Sequence, residues 1–247
     1  MKLIHGDCLE IMKKIPDGKI DMILCDLPYG TTKAKWDTII PFDLLWESYN
    51  RIIKDNGAIV LTASQPFTSS LIMSNPKMFR HTWVWDKKFA GNFANAKIQP
   101  MKVHEDVVVF SKKKVIYNPQ MIDRDQPIKG GGMTDSGTTN YGNNSEFVAL
   151  KKTYDQKYPI SIISVPRKLG KGSLHPTEKP VDLFEYLIKT YTEEGGLVLD
   201  NCVGSGTTLV ACQNTGRKGI GIELEKEYCE VSKQRLEENY NNIINSQ

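Results

Sequence analysis

A strand buried on both faces reads as a short apolar run, and this chain alternates such runs with segments of helical period. Ile20–Cys25 and Ala58–Thr62 are two of them. Between them Pro41–Lys54 places apolar residues at 44, 45, 49, 52 and 53, a helix closed by Asn56-Gly57. Leu3–Ile4, Thr82–Trp85, Val107–Phe110, Gly196–Asp200 and Gly219–Glu223 read as further strands. Cys8–Ile15, Phe67–Met73, Val181–Tyr191, Thr207–Asn214 and Lys226–Asn239 read as helices. The alternation predicts an α/β fold with a doubly wound, mostly parallel sheet.

In such sheets ligands lie beyond the carboxyl ends of strands, where neighbouring connections diverge. Two loops stand at those ends. The first is "CDLPYGTT", Cys25–Thr32. Read as a plain turn it needs no acid at its start. Read as a site it suits an exocyclic amine such as adenine N6, which carries two hydrogens and a delocalised lone pair. Ionised Asp26 only accepts hydrogen bonds, and the Leu27 carbonyl takes the second hydrogen, leaving the Leu27 side chain free to vary. Pro28 removes a backbone donor and fixes the turn. Tyr29 offers a ring for a flipped base to stack on.

The second loop is "LDNCVGSGTT", Leu199–Thr208. Gly204-Ser205-Gly206 allows close backbone approach, and Thr207-Thr208 open a helix with free N–H groups. The following strand ends in Glu223, placed to hold a ribose diol. A dinucleotide fold asks for a third glycine where this chain has Leu209, which weakens a pyrophosphate site and favours S-adenosylmethionine.

The rest of the composition sets bounds. The chain has 247 residues with 40% apolar and 25% charged content, ordinary for a globular protein. No stretch approaches the ~20 apolar residues of a membrane span, and the first ten residues lack a signal peptide's pattern, so the expected location is the cytoplasm, with no membrane partner. Five cysteines, at 8, 25, 202, 212 and 229, form no C-x-x-C pair, so neither a disulfide framework nor a metal site is expected. Residues 111–172 hold eleven Lys/Arg against five Asp/Glu, whereas the whole chain is only +3. This is either a solvated loop region or a phosphate-binding face. Lys129–Ser145, rich in Gly, Thr and Asn, is expected to be a mobile loop or to be ordered only by a partner.

These motifs, in this order, resemble the amino-methylating DNA methyltransferases, specifically the circularly permuted beta group whose catalytic loop precedes the cofactor loop. "DLPY" is similar to that family's Asp/Asn/Ser-Pro-Pro-Tyr signature, and "HPTEKP" (His175–Pro180), "LDNCVGSGTT" and "GRKGIGIELEKEYCEVSKQR" resemble its later motifs. The likeness covers roughly 1–110 and 160–240; Leu27 for proline and "NCVGSG" for "PFxGSG" are departures. The resemblance implies a Rossmann-like methyltransferase fold divided into a catalytic half, 1–110, a target-recognition insert, 111–172, and a cofactor half, 173–247. It implies methyl transfer from S-adenosylmethionine, without a metal, to a flipped base in duplex DNA, with Asp26 favouring adenine N6 over cytosine N4.

Further roles follow from the same resemblance. Asp26, Leu27, Pro28 and Tyr29 would be catalytic. Asp7, Cys8, His175, Thr177, Lys179, Asp200, Cys202, Gly204, Ser205, Gly206, Thr207, Thr208 and Glu223 would hold the cofactor. From the residues themselves, Lys33, Lys35 and Trp36 after the catalytic turn, and Lys87, Lys88 and Asn92 in the Lys/Phe/Asn mixture of "DKKFAGNFANAK" (Asp86–Lys97), would meet DNA. Each has a structural rival: Asp7 as a helix cap, Lys179-Pro180 as a helix start, Trp36 as core. Dimers are common in the family, and a cognate restriction endonuclease is a partner class it admits. The competing activities are cytosine-N4 methylation, methylation of RNA or protein amides, and a non-catalytic nucleic-acid binder.

Overall fold

The computed structural model describes residues 1–32, 34, 37–91, 93–129, 153–167 and 178–245. They form two units, Met1–Asn118 with Ser161–Gln247, and Pro119–Ile160. The first unit begins with β1 (Lys2–His5), α1 (Cys8–Met12), β2 (Ile20–Asp26), α2 (Phe42–Ile52), β3 (Ile53–Ala63), α3 (Phe67–Ser74), β4 (Phe79–Asp86) and β5 (His104–Phe110). The second unit holds β6 (Ile122–Lys129) and β7 (Thr153–Lys157), an antiparallel pair. The first unit then resumes with β8 (Ile162–Ser164), α4 (Val181–Tyr191), β9 (Leu197–Asp200), α5 (Thr207–Asn214), β10 (Lys218–Glu223) and α6 (Lys226–Asn245).

Its eight strands run in the order β1-β10-β9-β2-β3-β5-β4-β8. The pairs from β1 to β3 are parallel, β5 is antiparallel to β3 and β4, and β8 is parallel to β4. The doubly wound, mostly parallel sheet read from the sequence is therefore present. Alternating residues of the central strands β2 and β3 enter separate cores. Ile23, Cys25, Ile59 and Leu61 pack with Leu45, Tyr49, Ile52 and Leu71 of α2 and α3. Met22, Leu24, Ala58 and Val60 pack with Leu183, Leu187, Ala211 and Cys212 of α4 and α5. Both faces of the central strands are covered, which is why they read as apolar runs.

Some boundaries differ. Asn56-Gly57 do not close α2; the helix ends at Ile52 and β3 starts at once. The pairing slips between Ile20 and Met22, so Ile53 and then Ala58 face successive partners. A Cβ on Gly57 would stand 2.8 Å from the Asp21 carbonyl, so the glycine serves close strand approach rather than helix termination. α1 ends at Met12, short of Ile15. β6, β7 and β8 carry no apolar alternation strong enough to be read in advance. Most of the Gly/Thr/Asn-rich stretch lies outside the described residues. No helix among the described residues is long and apolar enough to cross a membrane.

Candidate active site

The chain leaves β2 towards β3 on one side and β9 towards β10 on the other, while β2 and β9 pair directly through Met22–Val198 and Ile23–Leu199. The two loops read from the sequence thus emerge side by side from adjacent strand ends. They line one cavity of about 450 Å³. Asp7, Cys8, Asp26–Tyr29, Lys179, Asp200, Cys202, Gly204, Ser205, Thr207 and Glu223 all reach its wall.

Asp26 is the last residue of β2 and is held by three donors. Tyr29 donates to Oδ1 at 2.7 Å, Thr62 of β3 donates to the same oxygen, and Lys179 Nζ meets Oδ2 at 2.6 Å. Of the roughly four acceptor positions of a carboxylate, three are filled. This corrects the reading of the turn as a site without donors: the donors are present and already bound. Lys179 is buried, with Glu105 Oε2 3.5 Å away on the other side. Burial works against its charge, and Asp26 and Glu105 more than offset that, so its pKa is raised. Burial likewise opposes the charge on Glu105, but the Lys179 and Lys87 ammoniums outweigh it and lower its pKa.

Tyr29 packs its ring on Phe67 of α3, centroids 5.0 Å apart, with the Lys179 ammonium 5.7 Å from the ring centroid. Leu27 is only 4% exposed and belongs to the core beneath. Its side chain is therefore not free to vary, contrary to the expectation from sequence; it anchors the turn. The following loop wraps on Asp37, whose carboxylate accepts the N–H groups of Gly30, Thr31 and Thr32 at 2.8, 2.9 and 2.6 Å. Burial opposes that charge, but these N–H groups prevail and lower the Asp37 pKa.

The glycine loop is held from behind. Gly206, with φ +87°, caps α5, and a Cβ there would stand 2.9 Å from Ser232 Oγ of α6. Ser232 donates to the Gly204 carbonyl at 2.7 Å. Arg235 donates to the Ser205 carbonyl at 3.1 Å and pairs with Glu178 at 2.7 Å. Leu209, at the absent third glycine, is fully buried, and its methyls lie within 2.8 Å of where Cβ atoms on Gly219 and Gly221 would be. Room for the helix comes from glycines on β10.

Several expected contacts are already used within the protein. The Gly204 N–H is accepted by Glu223 Oε2 at 2.8 Å, and Glu223 Oε1 accepts the Glu225 N–H at 2.9 Å. Thr208 is fully buried and donates to Asp200, so it acts behind that acid rather than on a ligand. Burial pushes the Asp200 carboxyl up to about 6, against the Thr208 hydroxyl and the Cys202 N–H. Asp7 caps α1 through the N–H groups of Leu9 and Glu10 at 2.8 and 3.3 Å, and still borders the cavity. Lys87 is 7% exposed with its ammonium on Glu105 at 3.0 Å, so it is buried rather than turned to DNA. Lys88 is exposed and paired with Asp86 at 2.7 Å. Lys33, Lys35, Trp36, Asn92, His175 and Thr177 lie outside the described residues. Thr62, Glu105 and Asp37 were given no role from the sequence, nor were Ser232 and Arg235 at the end of "GRKGIGIELEKEYCEVSKQR"; each sits outside the two loops and reaches the site only through tertiary packing.

Comparison with known proteins places this geometry. The chain is 28% identical to the Type II methyltransferase M.HpaI of Haemophilus parainfluenzae, over 97% of this chain and 75% of that protein. It is 27% identical to the DNA adenine methyltransferase YhdJ of Escherichia coli K12, over 95% and 82%. Among solved structures, the cytosine-N4-specific PvuII DNA methyltransferase superposes with a TM-score of 0.66 at 17% identity, covering 99% of this chain and 93% of that one. The M1.HpyAVI–SAM complex superposes with a TM-score of 0.62 at 24% identity, covering 95% and 99%. The DNA methylase family model for N6/N4 enzymes matches residues 20–234, most of the chain and both loops at the cavity, and this protein belongs to that family.

Proposed function

We propose that this DNA methylase transfers a methyl group from S-adenosylmethionine to adenine N6 of a flipped base in duplex DNA. The observation that carries the reading is the pairing of β2 with β9, which brings the Asp26 turn and the glycine loop to one cavity. The cavity's size falls within the ~300–1,000 Å³ of small-molecule sites. Its donor set fits the cofactor: acids at Asp200 and Glu223 suit a cationic ligand with a vicinal diol, and the third-glycine position is filled by Leu209. Glu223 retains an acceptor position on each oxygen and would hold the ribose, Asp200 would hold the amino-acid end, and Asp7 and Cys8 would lie by the adenine. When bound, S-adenosylmethionine supplies an electrophilic methyl on a sulfonium.

The chain's own residues then act on the target amine. Asp26 and the Leu27 carbonyl accept its hydrogens, Pro28 withholds an N–H, and the Tyr29 ring is braced by Phe67. Orientation in this cleft supplies much of the rate. The acid at position 26 favours adenine; cytosine N4 is the alternative. We assign the chain to the permuted beta group because Asp26 precedes the glycine loop, and we assign target recognition to the basic stretch 111–172. A homodimer, a cytoplasmic setting and a cognate endonuclease complete the reading, the last because M.HpaI is a Type II methyltransferase.

Incubation with labelled S-adenosylmethionine and mixed-sequence DNA, followed by nucleoside analysis, is expected to give N6-methyladenine. N4-methylcytosine would reassign the base, and no label in any DNA would refute the activity. Asp26→Ala should lose at least ~10³-fold in kcat while binding the cofactor with little change.

A further inference from the structure

The buried ion network beneath the catalytic turn is lopsided. Lys179 sits unequally between two carboxylates, with Asp26 Oδ2 at 2.6 Å and Glu105 Oε2 at 3.5 Å. That Glu105 oxygen is buried and has no close hydrogen-bond donor among the described residues, and Glu105 borders the same cavity. Its other oxygen is fixed by Lys87 at 3.0 Å, which holds the Glu105 side chain in place. A buried carboxylate oxygen without a donor is costly, and here the donor that would satisfy it stands within an ångström of hydrogen-bonding range.

We propose that Glu105 is a positioning residue that draws Lys179 off Asp26 when the target amine arrives. The inference rests on the methyl-transfer reading above. With Lys179 in place, Asp26 carries three donors and a neighbouring cation. The incoming amine needs an acceptor on that carboxylate, and its nitrogen gains positive charge as it takes up the methyl. A cation on the same carboxylate opposes both. A slide of the ammonium to Glu105 Oε2, closing to about 2.8 Å, frees Asp26 Oδ2 and moves the charge away. No proton is transferred, and the two carboxylates and two ammoniums keep the cluster neutral throughout. Lys87 makes the device one-directional: it occupies Oε1 and leaves Oε2 as the only place on Glu105 for Lys179 to go.

The test is a double-mutant cycle on the full chain with the DNA that it methylates. Glu105→Gln removes the attracting charge at nearly constant shape. It is expected to lower kcat by about tenfold or more while KM for DNA, and the thermal shift caused by S-adenosylmethionine, stay within about twofold of the unaltered protein. In a Lys179→Met background the same substitution is expected to cost little, because no ammonium remains to be moved. Glu105→Asp, which keeps the charge at shorter reach, should recover part of the loss. A crystal structure with target DNA and a non-reactive sulfonium analogue should place Lys179 Nζ on Glu105 rather than Asp26. An unchanged kcat in Glu105→Gln, an equal loss with and without Lys179, or Lys179 still on Asp26 in the DNA complex would each overturn the proposal. If the Lys179→Met background is too slow to measure, the position of the ammonium in that complex decides. An unaltered chain that binds the cofactor yet labels no DNA would instead overturn the transferase reading, and this one with it.

Discussion

At the scale of single residues the site works by placing charged groups where burial and partners compete. Asp200 is the clearest case, because its carboxyl is pushed up to about 6 by burial. The folded protein therefore holds that proton more tightly than the unfolded chain between about 3.8 and 6. Its contribution to stability falls as pH rises through this window and is level above it. A cationic ligand prefers the ionised acid, so cofactor affinity should move the opposite way. We expect calorimetric titration to give a dissociation constant that weakens by about tenfold per pH unit below 6 and is flat above 7. Asp200→Asn should flatten that profile and raise stability above pH 6; a profile unchanged by the substitution would remove Asp200 from the cofactor site. Asp200 was visible in the sequence as the acid at a strand end. Its pKa was not, since burial and the Thr208 hydroxyl arise only from packing.

At the scale of elements, what was legible followed local pattern and what was missed did not. β2 and β9 declared themselves as apolar runs because both of their faces are covered. Gly57 misled because Asn-Gly is a common stop signal, whereas here the missing side chain makes room for the Asp21 carbonyl. Lys179 was read as a cofactor contact from the likeness of "HPTEKP" to a family motif; its ammonium crosses to Asp26, 153 positions away. No periodicity encodes such a contact. The brace of α6 on the glycine loop belongs to the same class, and it can be tested by comparing two glycines. Gly18 and Gly206 both have positive φ, +55° and +87°. A Cβ on Gly18 would meet nothing within 4 Å, whereas on Gly206 it would meet Ser232 Oγ at 2.9 Å and Cα at 3.3 Å. Gly18→Ala should cost about 1 kcal/mol from backbone strain alone and leave cofactor affinity intact. Gly206→Ala should cost about 2 kcal/mol or more, lowering the melting temperature by roughly 4–8 °C, and should weaken the cofactor. Equal losses for the two variants would mean that the α6 contact contributes nothing to the loop.

At the scale of the whole molecule, the chemistry and the recognition proposed above fall on different stretches of chain. The described side chains assigned to catalysis all belong to the unit formed by Met1–Asn118 and Ser161–Gln247, while the chain enters the other unit at Pro119 and leaves it at Ile160. That second unit has its own antiparallel pair, β6 with β7, and lies within 111–172; it holds five Lys/Arg against five Asp/Glu, and the basic excess of the stretch falls on its flanks. If the unit's cations meet phosphates, they contribute to binding through counterion release, and their removal should alter salt dependence without touching the cofactor site. Changing Lys151, Lys152 and Lys157 together to Ser isolates this, because none of the three is among the residues assigned to cofactor or amine. Plotted as log binding constant against log salt, the slope should become shallower by up to about 3, since each phosphate no longer neutralised by a lysine removes about 0.9. The S-adenosylmethionine dissociation constant should be unchanged, and the drop in DNA affinity should be nearly the same on target and non-target duplexes, since phosphate contacts carry no sequence information. An unaltered slope would move the DNA-binding face off these lysines. A drop confined to the target duplex would make them readers of bases rather than anchors on the backbone.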